Sequence, residues 1–295
     1  MPRRGNRRIL ISAIVIFVLF CAAALVFFSS PPVLIVGDPS FERLYGQARL
    51  NSMRIELSLR LFRRVMPVTV AETAGVDLMA IAVDETSRAP GQVIFPYRYL
   101  EAGLYYREKH PDVPVFVAGG PKPRGEARVI FLQPDTESDL YRAGLIAALL
   151  AGDKRIIFFS ENKPPDPAWE ALKEGIEAGN HGGLPIFVNT ASDYSSYSDT
   201  GCVILAGPAL KFLERNLEIP VILFSWLDPD MTSKSVKVVF DDSTWALAAE
   251  AVKKPALPGD EIFVSSRPFV LPGSLSDKKD FRNIRRYVKE EYQKK

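Results

Sequence analysis

Hydrophobic positions along the 295-residue chain fall into three patterns. The first is one unbroken run, Ile9 to Phe28, whose single polar member is Ser12. At about 1.5 Å per residue, a helix over this run spans about 30 Å, the thickness of a bilayer core. Fourteen of its twenty residues are Ile, Leu, Val or Phe, which together favour insertion by roughly 4 to 8 kcal/mol. Arg3, Arg4, Arg7 and Arg8 precede the run, and Ser29-Ser30-Pro31-Pro32 follows it without charge. The positive-inside rule predicts a cytoplasmic N-terminus and an extracytoplasmic remainder. The reading is a basic tail over 1–8 and an uncleaved signal anchor over 9–28. Two processed forms compete with it. A secretory signal has a shorter apolar core, of about 7 to 15 residues. A lipoprotein would be cut before Cys21, which here follows Phe20 rather than a small residue.

The second pattern is a series of short apolar runs, which predict strands. They are Val33 to Val36, Val68 to Val70, Leu78 to Val83, Val115 to Val117, Val129 to Leu132, Arg155 to Phe159, Ile186 to Val188, Val203 to Leu205, Val221 to Phe224 and Val236 to Phe240. The third is helical spacing, at Phe41 to Met66, Tyr97 to Glu108, Asp139 to Leu150, Pro167 to Ala178, Pro208 to Asn216 and Thr244 to Lys253. The strand runs are continuous rather than alternating. That predicts strands buried on both faces, as in parallel sheets covered by helices, hence an α/β fold. The strand–helix series repeats once, which predicts two lobes, 31–133 and 134–225. Residues 226–276 return to complete them, and 277–295 form a charged terminal helix with a sparse stripe of Phe281, Ile284, Val288 and Tyr292.

Composition then narrows the function classes. The 37 basic and 35 acidic residues nearly cancel, leaving +2. A general nucleic-acid surface needs a basic excess. Two cysteines allow no disulfide framework and no cysteine-rich zinc site. The two histidines, His110 and His181, both read as turn residues, and Cys202 as a buried small hydrophobe. Gly37 opens no G-x-G-x-x-G, and Gly119-Gly120 is not followed by G-K-S/T. No G-x-S-x-G or H-E-x-x-H occurs either. The expectation is binding rather than catalysis, with no catalytic residue, metal or cofactor.

Four stretches carry a resemblance. Gly37-Asp38-Pro39-Ser40-Phe41 is similar to a D-x-S-F-N at the start of a first helix. Lys109 to Phe116 resembles K-x-P-D-V-x-F. Leu140 to Ala148 resembles L-A-G-x-x-A-A, and Leu172 to Gly179 resembles G-F-x-A-G. In this order they resemble the basic membrane protein family, the purine-nucleoside-receptor-like branch of the type I periplasmic binding proteins. The similarity covers most of residues 33 to 254. It implies two Rossmann-like lobes with parallel sheets and hinge crossovers, closing on a small solute. It implies that Phe41 stacks on a base, a contact of about 1 to 3 kcal/mol, with Asp38 and Ser40 beside the helix N-terminus. Ser40 as an N-cap and Phe41 as a hydrophobic staple are the competing structural roles.

The chain also departs from the family pattern. Glu42 stands where the family has Asn. The acidic residue after the K-x-P-D-V strand falls on Gly119, the one after a later strand near Trp226, and a lysine on Asp241 or Asp242. Trp226 is a candidate second aromatic wall and Asp228 a nearby polar ligand. The leading expectation is a membrane-anchored solute-binding protein for a nucleoside-like or sugar-like molecule, partnered by a transporter permease or a signalling protein. The alternative is an anchored structural or regulatory ectodomain that kept the fold and lost the ligand.

Overall fold

The computed structural model describes residues 3–37, 39–71, 74–189, 199–206, 219–224, 235–241, 243–251 and 256–270. Helix α1 (Arg3–Ser29) contains the apolar run. Its window Ser12–Ser29 has a mean hydropathy of 2.7, and none of it is buried against the rest of the chain.

Twelve strands among the described residues form two six-stranded sheets. The first is built from β1 (Val33–Val36), β2 (Val65–Val68), β3 (Gln92–Pro96), β4 (Val115–Ala118), β5 (Ile130–Pro134) and β11 (Glu261–Val264). Their order is β2-β1-β3-β4-β5-β11, with every pairing parallel. The second contains β6 (Arg155–Ser160), β7 (Ile186–Asn189), β8 (Thr200–Ala206), β9 (Val221–Phe224), β10 (Val236–Asp241) and β12 (Arg267–Val270). Its order is β7-β6-β8-β9-β10-β12, parallel except for β12 against β10.

The apolar strand runs are buried on both faces, as parallel sheets require. On one face of the first sheet, Val33, Ile35, Ile94 and Leu132 pack with Met53 and Leu57 of α2 (Pro39–Leu61) and with Trp245 and Leu247 of α7 (Thr244–Ala251). On the other, Leu34, Val93, Phe95 and Val117 meet α3 (Val76–Thr86) and α4 (Leu100–Lys109). In the second sheet, Phe158, Ile204 and Phe240 pack under α5 (Thr136–Ala151) and α6 (Asp166–Ala178).

Helices α5 and α6 approach through glycine. A Cβ on Gly144 would lie 2.9 Å from the Ile176 backbone nitrogen, and one on Gly175 2.8 Å from the Tyr141 carbonyl carbon. These obstacles are backbone and cannot swing aside. Gly175→Ala is therefore expected to cost about 1 to 3 kcal/mol by overpacking, although Ala is favoured over Gly inside a helix by about 1 kcal/mol. Gly182→Ala, where an added Cβ meets nothing within 4 Å, is the control. Urea denaturation midpoints of the two variants test the difference.

Three expectations are corrected. Leu78 to Val83, expected as a strand, is the middle of α3. A short apolar run does not distinguish strand from buried helix, and here Met79, Ala80 and Val83 turn inward while Leu78 and Ile81 stay exposed. The strand of that region is β3, which the pattern did not mark. The long helix expected to reach Met66 stops at Leu61, and the next strand starts at Val65 rather than Val68. Phe62 takes a left-handed φ of 49°. The Arg63 N–H then bonds the Ser58 carbonyl at 3.2 Å and the Phe62 N–H bonds Leu59 at 3.4 Å, a Schellman closure. The expected helix at Pro208 to Asn216 and the charged segment 277–295 lie outside the described residues.

Candidate functional site

Among the described residues, three short crossings join the sheets. They run from β5 into α5, from β10 into α7, and from β11 into β12. All three leave from strand carboxyl ends, and β5 and β11 are parallel neighbours. The carboxyl edges of both sheets thus converge on the crossings. Ligands in open parallel sheets bind beyond these edges, where strand order switches. The switch points lie between β1 and β3 and between β6 and β8.

Short polar side chains build the crossings. Asp135 caps α5, accepting from the Ser138 N–H at 3.2 Å. Ser265 Oγ donates to Asp135 Oδ2 at 3.2 Å, and the Asp135 N–H reaches the Val264 carbonyl at 2.8 Å. Ser243 Oγ accepts from the Ala246 N–H in the first turn of α7, and the Ser243 N–H donates to Asp241 Oδ1.

Asp139, like Asp241 and Ser243, is buried. Its Oδ1 accepts from the Ser266 N–H at 2.8 Å and pairs with the Arg142 guanidinium. Burial pushes its pKa up to about 6, against the opposing pull of Arg142 and of Ser266. Arg142 also bonds the Ser138 carbonyl, and its Cζ lies 5.8 Å from the Phe240 ring centre. The sequence reading missed this cluster. Asp139 and Arg142 stand three apart on one helix, but their burial depends on Ser266, far along the chain.

On the first lobe, the rim after β3 is a 3-10 turn, Tyr97–Tyr99. The Tyr97 ring lies against Gly120 so closely that no Cβ fits there. Gly119 has a left-handed φ of 93°, so where the family pattern carries an acid this rim presents backbone and the Tyr97 ring. Exposed Arg98 sits over the Tyr99 ring at 4.7 Å. On the second lobe, Asn189 Nδ2 donates to the Glu161 carbonyl at 2.8 Å, tying the ends of β6 and β7. Phe224 and Phe240 stack at 4.6 Å and 6°.

Of the sequence-predicted ligands, Ser40 and Phe41 fall in the first turn of α2, directly beyond β1. Their side chains lie outside the described residues, as do Asp38, Trp226 and Asp228 altogether. His110 differs from expectation. Rather than a solvated turn residue, it is half-buried, stacked on Tyr106 at 4.3 Å, with Nε2 3.4 Å from Asp84 Oδ1. His181 is a turn residue pinned by the Lys154 carbonyl at 2.8 Å. Cys202 is fully buried and its thiol is pushed well above the usual range by burial.

No protein-family model matches the chain, and no curated protein matches it by sequence. Solved structures do match. A transcriptional activator of the comK gene from Bacillus halodurans superimposes with a TM-score of 0.56 at 12% identity, covering 88% of this chain and 96% of that one. An ABC transporter solute-binding protein from Conexibacter woesei gives 0.56 at 11% identity, covering 90% and 97%. The chain has the two-lobed α/β fold of the periplasmic-binding-protein-like class.

Proposed function

We propose that the chain is a membrane-anchored extracytoplasmic solute-binding protein, a divergent relative of the basic membrane protein family. Residues 9–28 anchor it, with the N-terminus inside. Lobes 31–133 and 134–225, completed by 226–276, close on a small organic molecule, nucleoside-like or sugar-like. The observation that carries this reading is the convergence of both carboxyl sheet edges on three short crossings. Closure needs a ligand with higher affinity for the closed state. Asp38, Ser40 and Phe41, together with Trp226 and Asp228, are the proposed ligand contacts. The captured solute passes to a transporter permease or a signalling protein.

A thermal-shift screen of the full-length protein in detergent against nucleosides, bases and sugars tests the reading. A true ligand at 100 times its Kd is expected to add about 2.7 kcal/mol of stability. Phe41→Ala is expected to remove that gain while leaving the ligand-free midpoint close to wild type. A second reading, a regulatory or structural ectodomain without a ligand, is favoured by one observation: Gly119 offers no side chain where the family pattern has an acid. Absence of any shift with all three solute classes would decide for it.

A further inference from the structure

Helix α2 is apolar on two opposite faces. Met53 and Leu57 enter the core. About 200° away at 100° per residue, Ile55 (56% exposed) and Leu59 (70%) point to solvent, and Phe62 (47%) continues that stripe past the helix end. An outward apolar stripe costs solubility unless something covers it. Three observations indicate what does.

The first is position. The Phe62 ring meets Phe27 of α1 edge-on at 5.8 Å, so the C-terminal end of α2 sits where the apolar helix leaves the bilayer. Only Ser30 to Pro32 separate α1 from β1. A connection this short holds the first lobe close to the membrane surface. The second is charge. Arg54 is exposed about 100° to one side of Ile55, Glu56 on the other side is paired with Arg60, and Arg63 is exposed just beyond the helix end next to Phe62. Apolar residues edged by arginine form the pattern that seats a helix at an anionic headgroup layer. The third is conformation. Phe62 holds a left-handed φ that glycine would adopt at lower cost. The edge-on contact with Phe27 accounts for an aromatic at this cap.

We propose that the C-terminal half of α2 docks on the anionic lipid of the outer leaflet, through Ile55, Leu59 and Phe62 with Arg54 and Arg63 at the headgroups. The first lobe is then held on the membrane while the second is free to close over the site. The inference rests on the anchor reading, and the test separates the two.

The test uses full-length protein carrying Cys21→Ala, with Cys202 left buried, in nanodiscs of phosphatidylcholine with or without phosphatidylglycerol. A nitroxide is attached at Ile16→Cys, Leu59→Cys or Leu149→Cys. Accessibility to oxygen and to a water-soluble nickel complex is read by electron paramagnetic resonance. The expected result is lipid exposure at 16 in all discs, lipid exposure at 59 in anionic discs, and aqueous exposure at 149. Arg54→Gln and Arg63→Gln are expected to lower the docked-to-undocked ratio about fivefold each. Lipid exposure at 16 with aqueous exposure at 59 overturns the docking and leaves the anchor standing. Aqueous exposure at 16 overturns both. Shielding at 59 accompanied by spin–spin broadening assigns the face to a second copy of the chain and overturns the proposal.

Discussion

Arg142→Met is expected to cost more at pH 7 than at pH 4, by at most about 1.4 kcal/mol, because Asp139 without its partner takes up a proton rather than stay a lone buried charge. Asp139 is 2% exposed, and its carboxylate has two partners, the Arg142 guanidinium and the Ser266 N–H. Its folded pKa is raised to about 6, chiefly by burial, from an unfolded value of about 3.9. The folded state therefore binds the extra proton. The stability Asp139 contributes is fully present below pH about 4 and is lost as pH rises through about 6. The two-unit shift corresponds to about 3 kcal/mol. Arg142 pulls the pKa down, so its removal extends that loss to higher pH. Asp139→Asn is expected to abolish the slope between pH 4 and 6. At pH 7 the amide avoids the cost of burying a carboxylate but leaves the buried Arg142 guanidinium without its ionic partner, so the two effects oppose each other. Paired urea titrations at pH 4 and pH 7 check both variants. An Arg142→Met deficit equal at the two pH values would contradict the account.

Trp245→Ala is expected to cost about 3 to 5 kcal/mol, the usual range for truncating a buried aromatic. Trp245 is 1% exposed and lies in the first turn of α7, immediately after the chain leaves β10 of the second sheet. Its ring fills the core of the first lobe, among Val33, Ile35, Met53, Leu57 and Leu132. The first lobe is incomplete until the chain returns from the second. The cavity is therefore expected to loosen β1 and β3 preferentially. Hydrogen exchange should show protection lost in 33–36 and 92–96 before β6 and β8 are affected. Leu184→Ala, 73% exposed, is the control and is expected within about 0.5 kcal/mol of wild type. Uniform loss of protection across both sheets would mean that the lobes unfold as one unit.

Strands buried on both faces left a readable mark. Val33 to Val36 and Val115 to Val117 are apolar at every position, because helices cover each side. Helices with one buried stripe were equally plain, as in Trp169, Leu172 and Ile176 of α6. Where an apolar run had no periodicity, as at Leu78 to Val83, length and composition could not separate strand from helix. Strand β3 escaped notice because Gln92 to Pro96 opens on a polar residue and ends on proline. The two helix motifs behind the family resemblance, around Gly144 and Gly175, have a packing reason: they let α5 and α6 touch backbone to backbone. They therefore report on fold more than on ligand.

The class of fold and the apolar N-terminal helix could be read from residue order alone, since each rests on local periodicity or run length. Tertiary structure decided which residues meet at the crossings. Asp139 with Ser266, Asp135 with Ser265 and Trp245 with the first-lobe core are separated by long stretches of chain. Local patterning carries no record of such partners. Burial by distant elements also sets the charge state of Asp139, so its electrostatics exist only once both lobes are assembled.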